Sequence, residues 1–80
     1  MLEVKILGTG CSSCRKLERL TMKAIDELGI PAFVEKVEDI QKIMTYDILR
    51  TPGLVVNGKL LISGEVPKLE KLKEILSQNL

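Results

Sequence analysis

The hydrophobic pattern of this chain changes from the period of a strand to that of a helix near its start. Apolar and charged residues alternate over Leu2–Leu7, as they do in a strand with one buried face. After a glycine-rich break, the apolar residues from about residue 12 or 13 to Leu28 follow the spacing of one helical stripe. Gly29 is suited to cap that helix, and Ala32–Val37 alternates again. A strand, a helix and a strand in this order predict two parallel strands joined by a right-handed crossover.

The second half of the chain predicts a short helix, a hairpin and a final helix. Asp39 can cap the short helix, because its side chain can accept a hydrogen bond from one of the first backbone N–H groups. Asn57-Gly58 separates two runs rich in apolar residues, Leu54–Val56 and Lys59–Ile62, and this dipeptide favours a tight turn with positive φ at both positions. Pro67 is placed to open the last helix.

The predicted order of elements is β-α-β-α-β-β-α, within a single domain that spans residues 1–80. This order predicts an α/β fold with a mixed four-stranded sheet and helices on both faces. The two long amphipathic helices would cover one face, and the short helix would cover the other. Hydrophobic residues make up 45% of the chain but aromatic residues only 2%, so the core must be aliphatic.

Charge and composition argue against nucleic acid and membrane as partners. The chain has 12 basic and 11 acidic residues, a net charge of +1, whereas phosphate binding normally leaves a basic surplus. Its only aromatic residues, Phe33 and Tyr46, are too few for a base-stacking platform. No apolar stretch reaches the ~18 residues of a membrane span, and residues 1–5 lack the apolar segment of a secretory signal. We expect a cytoplasmic protein that acts as a monomer.

Two cysteines lie where the first strand meets the first helix, in the sequence Cys11-Ser12-Ser13-Cys14. Cys11 precedes the helix, where unpaired backbone N–H groups and the positive end of the helix dipole favour a thiolate over a thiol. Cys14 lies one turn later on the same side, so it can attack a mixed disulfide on Cys11 and release the reduced partner. Arg15 and Lys16 oppose the helix dipole, a cost that a thiolate would offset; both are equally well explained as solvated surface residues.

The cysteine pair has other interpretations. A structural disulfide would contribute only ~2 kcal/mol, because so short a loop restricts the unfolded chain little. Zinc needs about four ligands, and the chain has no His and no further Cys, so a site would need a second chain or carboxylates such as Glu18. A carrier of a soft metal remains an alternative, since two thiolates suit Cu(I); heavy-metal-associated domains, however, usually run β-α-β-β-α-β and end on a strand. A redox-inactive adaptor on the same fold is a further alternative.

Thr51-Pro52 directly precedes the first strand of the predicted hairpin. Peptide bonds before proline are the ones in which cis geometry costs little. A proline at the first residue of a strand also loses no hydrogen bond of the ladder. The dipeptide is compatible with a tight cis turn and with an ordinary trans turn.

The cysteine pair after the first strand, the X-Pro bond before the third and the hairpin followed by a last helix resemble the thioredoxin and glutaredoxin superfamily. The segments Gly8–Cys14 and Thr51–Gly58 are most similar to compact thioredoxin-like proteins of the redox-active disulfide protein 2 type. The resemblance spans nearly the whole chain, and it implies one thioredoxin-like domain over residues 1–80.

The resemblance implies a thiol–disulfide oxidoreductase without a bound cofactor or metal, since its redox-active group is the Cys11–Cys14 disulfide. It implies Cys11 as the nucleophile, Cys14 as the resolving thiol and Pro52 as the cis-proline beside them. The backbone of Thr51 would meet an extended substrate segment. The predicted substrate-binding residues are Thr51, Pro52, Gly10, Ser12 and Ser13. The implied partners are protein substrates that contain disulfides and an electron donor of the thioredoxin reductase type.

Overall fold

The computed structural model describes all of residues 1–80 and contains seven elements in the predicted order. Their bounds are β1 Leu2–Leu7, α1 Ser12–Leu28, β2 Ala32–Val37, α2 Ile40–Met44, β3 Gly53–Val56, β4 Lys59–Ser63 and α3 Leu69–Gln78. The α/β fold class predicted from the hydrophobic periods is therefore confirmed.

Three bounds differ from the sequence-based prediction. Pro67 does not open α3, because the cap residue is Lys68 and the helix begins at Leu69. The apolar side chains with which this helix packs on the core begin at Leu69, and Lys68 before it is extended. The hairpin is longer than predicted, because Gly53 pairs with Ser63 and extends both strands by one residue.

The four strands form one mixed sheet in the order β2-β1-β3-β4. β1 pairs with β2 in parallel over their whole length, as the predicted crossover requires. β3 runs antiparallel to both β1 and β4. The turn between β3 and β4 has positive φ at Asn57 (52°) and Gly58 (82°), which confirms the tight hairpin turn predicted from this dipeptide.

The strands bury side chains on both faces of the sheet, and helices cover both faces. The core between the sheet and the long helices α1 and α3 contains ten buried residues: Leu2, Val4, Ile6, Leu17, Ala24, Leu54, Val56, Ile62, Leu72 and Leu76. The opposite face has a smaller cluster, formed by Leu7, Val37 and Val55 with Ile43 of α2. Both cores are aliphatic, as the shortage of aromatic residues predicts.

The face with the short helix is only partly covered. Phe33 remains 56% exposed there, although it lies on a strand. The Lys5 ammonium donates a hydrogen bond of 3.2 Å to the Tyr46 hydroxyl on this side. This hydrogen bond stabilises the charged amine and raises the pKa of Lys5 above its ordinary value. None of the three helices is both long enough and apolar enough to cross a lipid bilayer.

Candidate functional site

Three loops meet at the end of the sheet where β1 ends. Leu7 pairs with Val37 of β2 and with Gly53 of β3, so the chain segments next to these three residues are neighbours. The N–H of Gly8 continues the contact with β2 by donating to the carbonyl of Val37 at 3.0 Å. The cysteine loop, the segment after β2 and the Thr51-Pro52 loop therefore share one end of the molecule.

Cys11 is the N-cap residue of α1. Its backbone is extended, with φ −68° and ψ 166°, and its carbonyl accepts the first bond of the helix from the N–H of Arg15 at 3.0 Å. Its Sγ accepts a hydrogen bond of 3.2 Å from the N–H of Cys14. A sulfur in this position faces unpaired N–H groups and the positive end of the helix dipole, and both favour negative charge on it. Cys11 is also exposed to solvent.

Cys14 lies in the first turn of α1 and is buried, with only 5% of its surface exposed. It forms a disulfide with Cys11, and the two Cα atoms are 5.1 Å apart, a normal separation for such a bond. The pair thus combines one sulfur that a large partner can reach with one that it cannot. Both cysteines are in this bond, and the chain has no free cysteine.

A small cavity of about 20 Å³ lies beside Cys14, with room for about one water molecule. It is lined by Ile6, Gly8, Gly10, Cys14, Arg15, Glu18, Lys36 and Glu38. The Lys36 ammonium and the Glu18 carboxylate form a partly exposed ion pair at 3.8 Å. Of the two basic residues that follow the motif, Arg15 borders this cavity and Lys16 does not.

Most of these lining residues are not predicted from the sequence to belong to the site. From the sequence, Glu18 is only a conceivable metal ligand, although its position four residues after Cys14 places both on one face of the helix. Lys36 and Glu38 reach the cysteines only through the pairing of β2 with β1, which the sequence does not specify residue by residue. The structure has no group of three or more His, Cys, Asp and Glu side chains able to hold a metal.

The loop of Thr51 and Pro52 is fixed to the end of β4. The Thr51–Pro52 peptide bond is cis. The carbonyl of Pro52 accepts a hydrogen bond of 2.8 Å from the N–H of Gly64, and the Ser63 hydroxyl donates to the carbonyl of Arg50 at 3.4 Å. Pro52 is buried, whereas Thr51 is exposed and its N–H and C=O take part in no hydrogen bond within the protein. Gly10, Ser12 and Ser13 are also exposed.

An apolar groove, which is not predicted from the sequence, borders the same loop. It is lined by Ile40, Ile43, Met44, Ile48, Leu49, Arg50 and Thr51, and it encloses about 310 Å³. Three of its side chains are large, apolar and exposed: Ile40 by 55%, Met44 by 67% and Leu49 by 95%. We call this feature the α2 groove. It places exposed apolar surface next to Thr51.

Comparison with known proteins gives consistent matches over the whole chain. A sequence profile described as a thioredoxin domain matches residues 2–77. A thioredoxin from Methanothermobacter thermautotrophicus is 42% identical over 77 residues, which cover 96% of this chain and 100% of that protein. A thioredoxin from Methanocaldococcus jannaschii is 35% identical over 80 residues, which cover 100% of this chain and 92% of that protein.

Two solved structures share the fold at low sequence identity. One, described as the structure of a malarial protein, has a TM-score of 0.74 at 14% identity and covers 100% of this chain and 98% of its own. The other is the germline-specific thioredoxin Deadhead from Drosophila melanogaster, with a TM-score of 0.69 at 20% identity and coverage of 99% and 81%. At such identities the likeness concerns the fold alone.

Proposed function

Because this chain belongs to the thioredoxin domain family and is a thiol–disulfide oxidoreductase, we propose that Cys11 is its nucleophile and that Cys14 is its resolving thiol. One observation carries this assignment: the two sulfurs differ in accessibility. Cys11 is exposed at the N-terminus of α1, while Cys14 is buried behind it. A protein substrate can approach only the first, and the second can attack only a group already bound to the first.

The reaction consists of two exchanges. The Cys11 thiolate attacks one sulfur of a substrate disulfide, so that a mixed disulfide forms and the other substrate sulfur leaves as a thiolate. Cys14 then loses its proton and attacks the Sγ of Cys11. The Cys11–Cys14 disulfide forms, the mixed disulfide breaks, and the second substrate sulfur leaves and takes up a proton. Two electrons from a donor of the thioredoxin reductase type then restore the dithiol.

The residues around Cys11 supply the proposed substrate-binding surface. Thr51 is exposed with a free N–H and C=O, so an extended substrate segment can pair with it as with the edge of a sheet. Pro52, the next residue, is buried. Gly10, Ser12 and Ser13 complete the surface, and none of them has a bulky side chain that would keep a folded partner away from Cys11.

The α2 groove extends this surface to one side, because Thr51 lines both. We assign to it the apolar side chains that flank the reactive cysteine of a protein substrate. The α2 groove lies next to a site that must contact other proteins. Burying exposed apolar surface there on binding contributes strongly to the free energy of binding.

The proposal includes the setting in which the protein acts. A carrier that cycles through its dithiol form needs a compartment in which thiols are kept reduced, so we place it in the cytoplasm. Its cysteines and the surrounding loops all belong to one chain, which suits a monomer with one domain. The redox-active group is the disulfide itself, and the proposed cycle needs no other cofactor.

Replacement of each cysteine in turn tests the assignment. The reduction of insulin disulfides by dithiothreitol should lose its catalysis with Cys11→Ser. Incubated in its reduced form with insulin and without dithiothreitol, Cys14→Ser should instead accumulate a mixed disulfide between Cys11 and the substrate, detected as the added mass of insulin. Ser77→Ala, at an exposed position of α3, serves as the control with unchanged activity. A mixed disulfide trapped on Cys14 in the Cys11→Ser protein would reverse the two roles.

The soft-metal carrier is less well supported than the oxidoreductase. The heavy-metal-associated domains that it resembles around the cysteine motif usually end on a strand, whereas this chain ends on α3. Metal analysis of protein purified and reduced under argon separates the two functions. A stoichiometric content of copper or zinc would favour the carrier.

A further inference from the structure

Gly8 lies closer to Cys14 than any residue with a side chain could. A Cβ built on Gly8 would overlap the Sγ of Cys14 and would lie 3.0 Å from its Cβ. Gly8 is buried at the end of β1, and its N–H is held by the carbonyl of Val37. It is not one of the glycines with positive φ, so alanine could adopt its backbone conformation. Glycine is required at this position because there is no space for a Cβ beside the sulfur, and not because of its backbone conformation.

We propose that Gly8 is a positioning residue that sets the reduction potential of the Cys11–Cys14 pair. This inference rests on the proposed function, in which that pair is the redox-active group. In the disulfide, the Sγ of Cys14 is bonded to Cys11 and cannot leave the space beside Gly8. In the dithiol, the same sulfur is released and can turn about χ1 to another staggered position. A side chain at position 8 therefore conflicts with the oxidised form more than with the reduced form.

The cavity next to the sulfur supports this difference between the two forms. Its wall includes both Gly8 and Cys14, so open space for about one water molecule adjoins the residue that carries the sulfur. Elsewhere in a close-packed core there would be no space for a displaced sulfur. The oxidised form thus depends more on the missing Cβ than the reduced form does. Turning the released sulfur relieves its overlap with an added Cβ, whereas the 3.0 Å approach of that atom to the Cβ of Cys14 is common to both forms.

Equilibration with glutathione measures the effect directly. Oxidation of the two thiols by glutathione disulfide forms the Cys11–Cys14 bond and yields two molecules of glutathione, so electrons and protons balance. With Gly8→Ala we expect the equilibrium constant for forming the bond to fall about tenfold, which is ~30 mV toward a more oxidising potential. A constant within about twofold of the wild-type value would overturn the proposal.

Gly29→Ala is the matched control. It is also a glycine-to-alanine change, and it is destabilising because Gly29 has φ +64° at the C-terminal cap of α1. No other atom lies within 4 Å of a Cβ at that position, which is at the opposite end of the helix from the cysteines. We expect lower stability and an unchanged glutathione equilibrium. An equal shift in both variants would show that lost stability, and not the sulfur, moves the potential.

A double-mutant cycle keeps the proposal testable where Gly8→Ala folds poorly. Cys14→Ala removes the Sγ that the added Cβ would meet. Gly8→Ala should raise the unfolding equilibrium constant in the oxidised wild type and in Cys14→Ala. The factor by which it rises should be at least about tenfold larger in the oxidised wild type. Equal effects in the two backgrounds, or failure to fold in both, would overturn the proposal. Failure of Cys14→Ser to trap a substrate would count against the proposed function alone, because the glutathione equilibrium does not depend on which sulfur attacks.

Discussion

The positions of two sulfurs in one helical turn explain how similar side chains receive different chemical roles. Cys11 lies just outside α1 and accepts the N–H of Cys14, while Cys14 is the third helical residue and faces the sheet. The same turn of backbone thus stabilises charge on one sulfur and hides the other from solvent. A spacing of three residues is what places both on the same side of the helix.

This difference predicts unequal alkylation of the reduced protein. Iodoacetamide should modify Cys11 at least about tenfold faster than Cys14 at neutral pH, because only Cys11 is both exposed and placed where a thiolate is favoured. Peptide mapping by mass spectrometry after short labelling times gives the two rates. Equal rates would contradict the assignment of the nucleophile.

A second prediction at the scale of residues concerns Lys5 and Tyr46. The pKa of Lys5 is raised mainly by the hydrogen bond to the Tyr46 hydroxyl. A raised pKa means that this interaction stabilises the folded protein fully below the ordinary lysine pKa of about 10.4. The stabilisation is then lost as pH rises through the pKa of the folded state. Tyr46→Phe should therefore lower the free energy of unfolding at pH 8 and have a smaller effect once the pH exceeds the raised pKa of Lys5 in the folded protein.

Urea unfolding of both proteins at several pH values tests this prediction. Phenylalanine keeps the ring and removes only the hydroxyl, so packing on the partly covered face of the sheet is preserved. A difference between the two proteins that does not change with pH would mean that the hydroxyl acts through something other than the charge of Lys5.

At the scale of elements, the sequence predicts those parts whose signals are local. The bounds of β1, α1 and β2 follow from changes in hydrophobic period, and the hairpin follows from Asn57-Gly58. The cysteine pair is recognisable for the same reason, since its spacing and its place before a helix are both visible in the sequence. The start of α3 was wrong by two residues, because Pro67 is compatible with a helix start but the contacts of α3 begin at Leu69.

Features formed by contacts between distant elements were not predictable. The cavity beside Cys14 needs the register of β2 against β1, which brings Lys36 and Glu38 to a helix that starts more than twenty residues earlier. The α2 groove needs the irregular segment after α2 to fold back beside that helix. The closeness of Gly8 to Cys14 is visible only once a Cβ can be placed in the coordinates.

The α2 groove leads to a prediction about substrate recognition. Leu49→Glu and Met44→Glu place charge on exposed apolar surface next to Thr51, so each should lower kcat/KM for insulin reduction by about tenfold, or ~1.4 kcal/mol. The rate with a small disulfide such as 2-hydroxyethyl disulfide should not change, because it cannot reach the groove while bound at Cys11.

Met22→Glu is the matched control for these variants. Met22 is also a large apolar side chain, 51% exposed, but it lies on α1 and does not line the groove. The activity of Met22→Glu toward insulin and toward 2-hydroxyethyl disulfide should equal that of the wild type. An equal loss for insulin in all three variants would indicate a general effect of charge, and the groove would lose its assigned role.

At the scale of the whole molecule, the packing of α3 on α1 and the sheet determines stability in so small a domain. Leu72 and Leu76 are completely buried in the main core, together with Leu17 of α1. Leu72→Ala should lower the free energy of unfolding by about 2–5 kcal/mol, because it leaves a cavity among aliphatic side chains. The exposed Met22→Ala should change it by less than about 0.5 kcal/mol. Urea unfolding measures both, and a small effect of Leu72→Ala would mean that the core closes around the smaller side chain.

The redox state and the stability of the whole chain are linked through one thermodynamic cycle. Closing the short Cys11–Cys14 loop restricts the unfolded chain, which alone would make the oxidised protein more stable by about 2 kcal/mol. In the reduced protein, a Cys11 thiolate gains about 0.3–1 kcal/mol from the helix N-terminus. We therefore expect the oxidised protein to be more stable by about 1–2 kcal/mol in parallel urea titrations with and without reductant. In this cycle, the difference in stability equals the difference between the free energies of forming the disulfide in the folded and in the unfolded chain. It corresponds to a difference in reduction potential of about 20–40 mV. A reduced protein more stable than the oxidised one would instead make the disulfide of the folded chain a stronger oxidant than that of the unfolded chain.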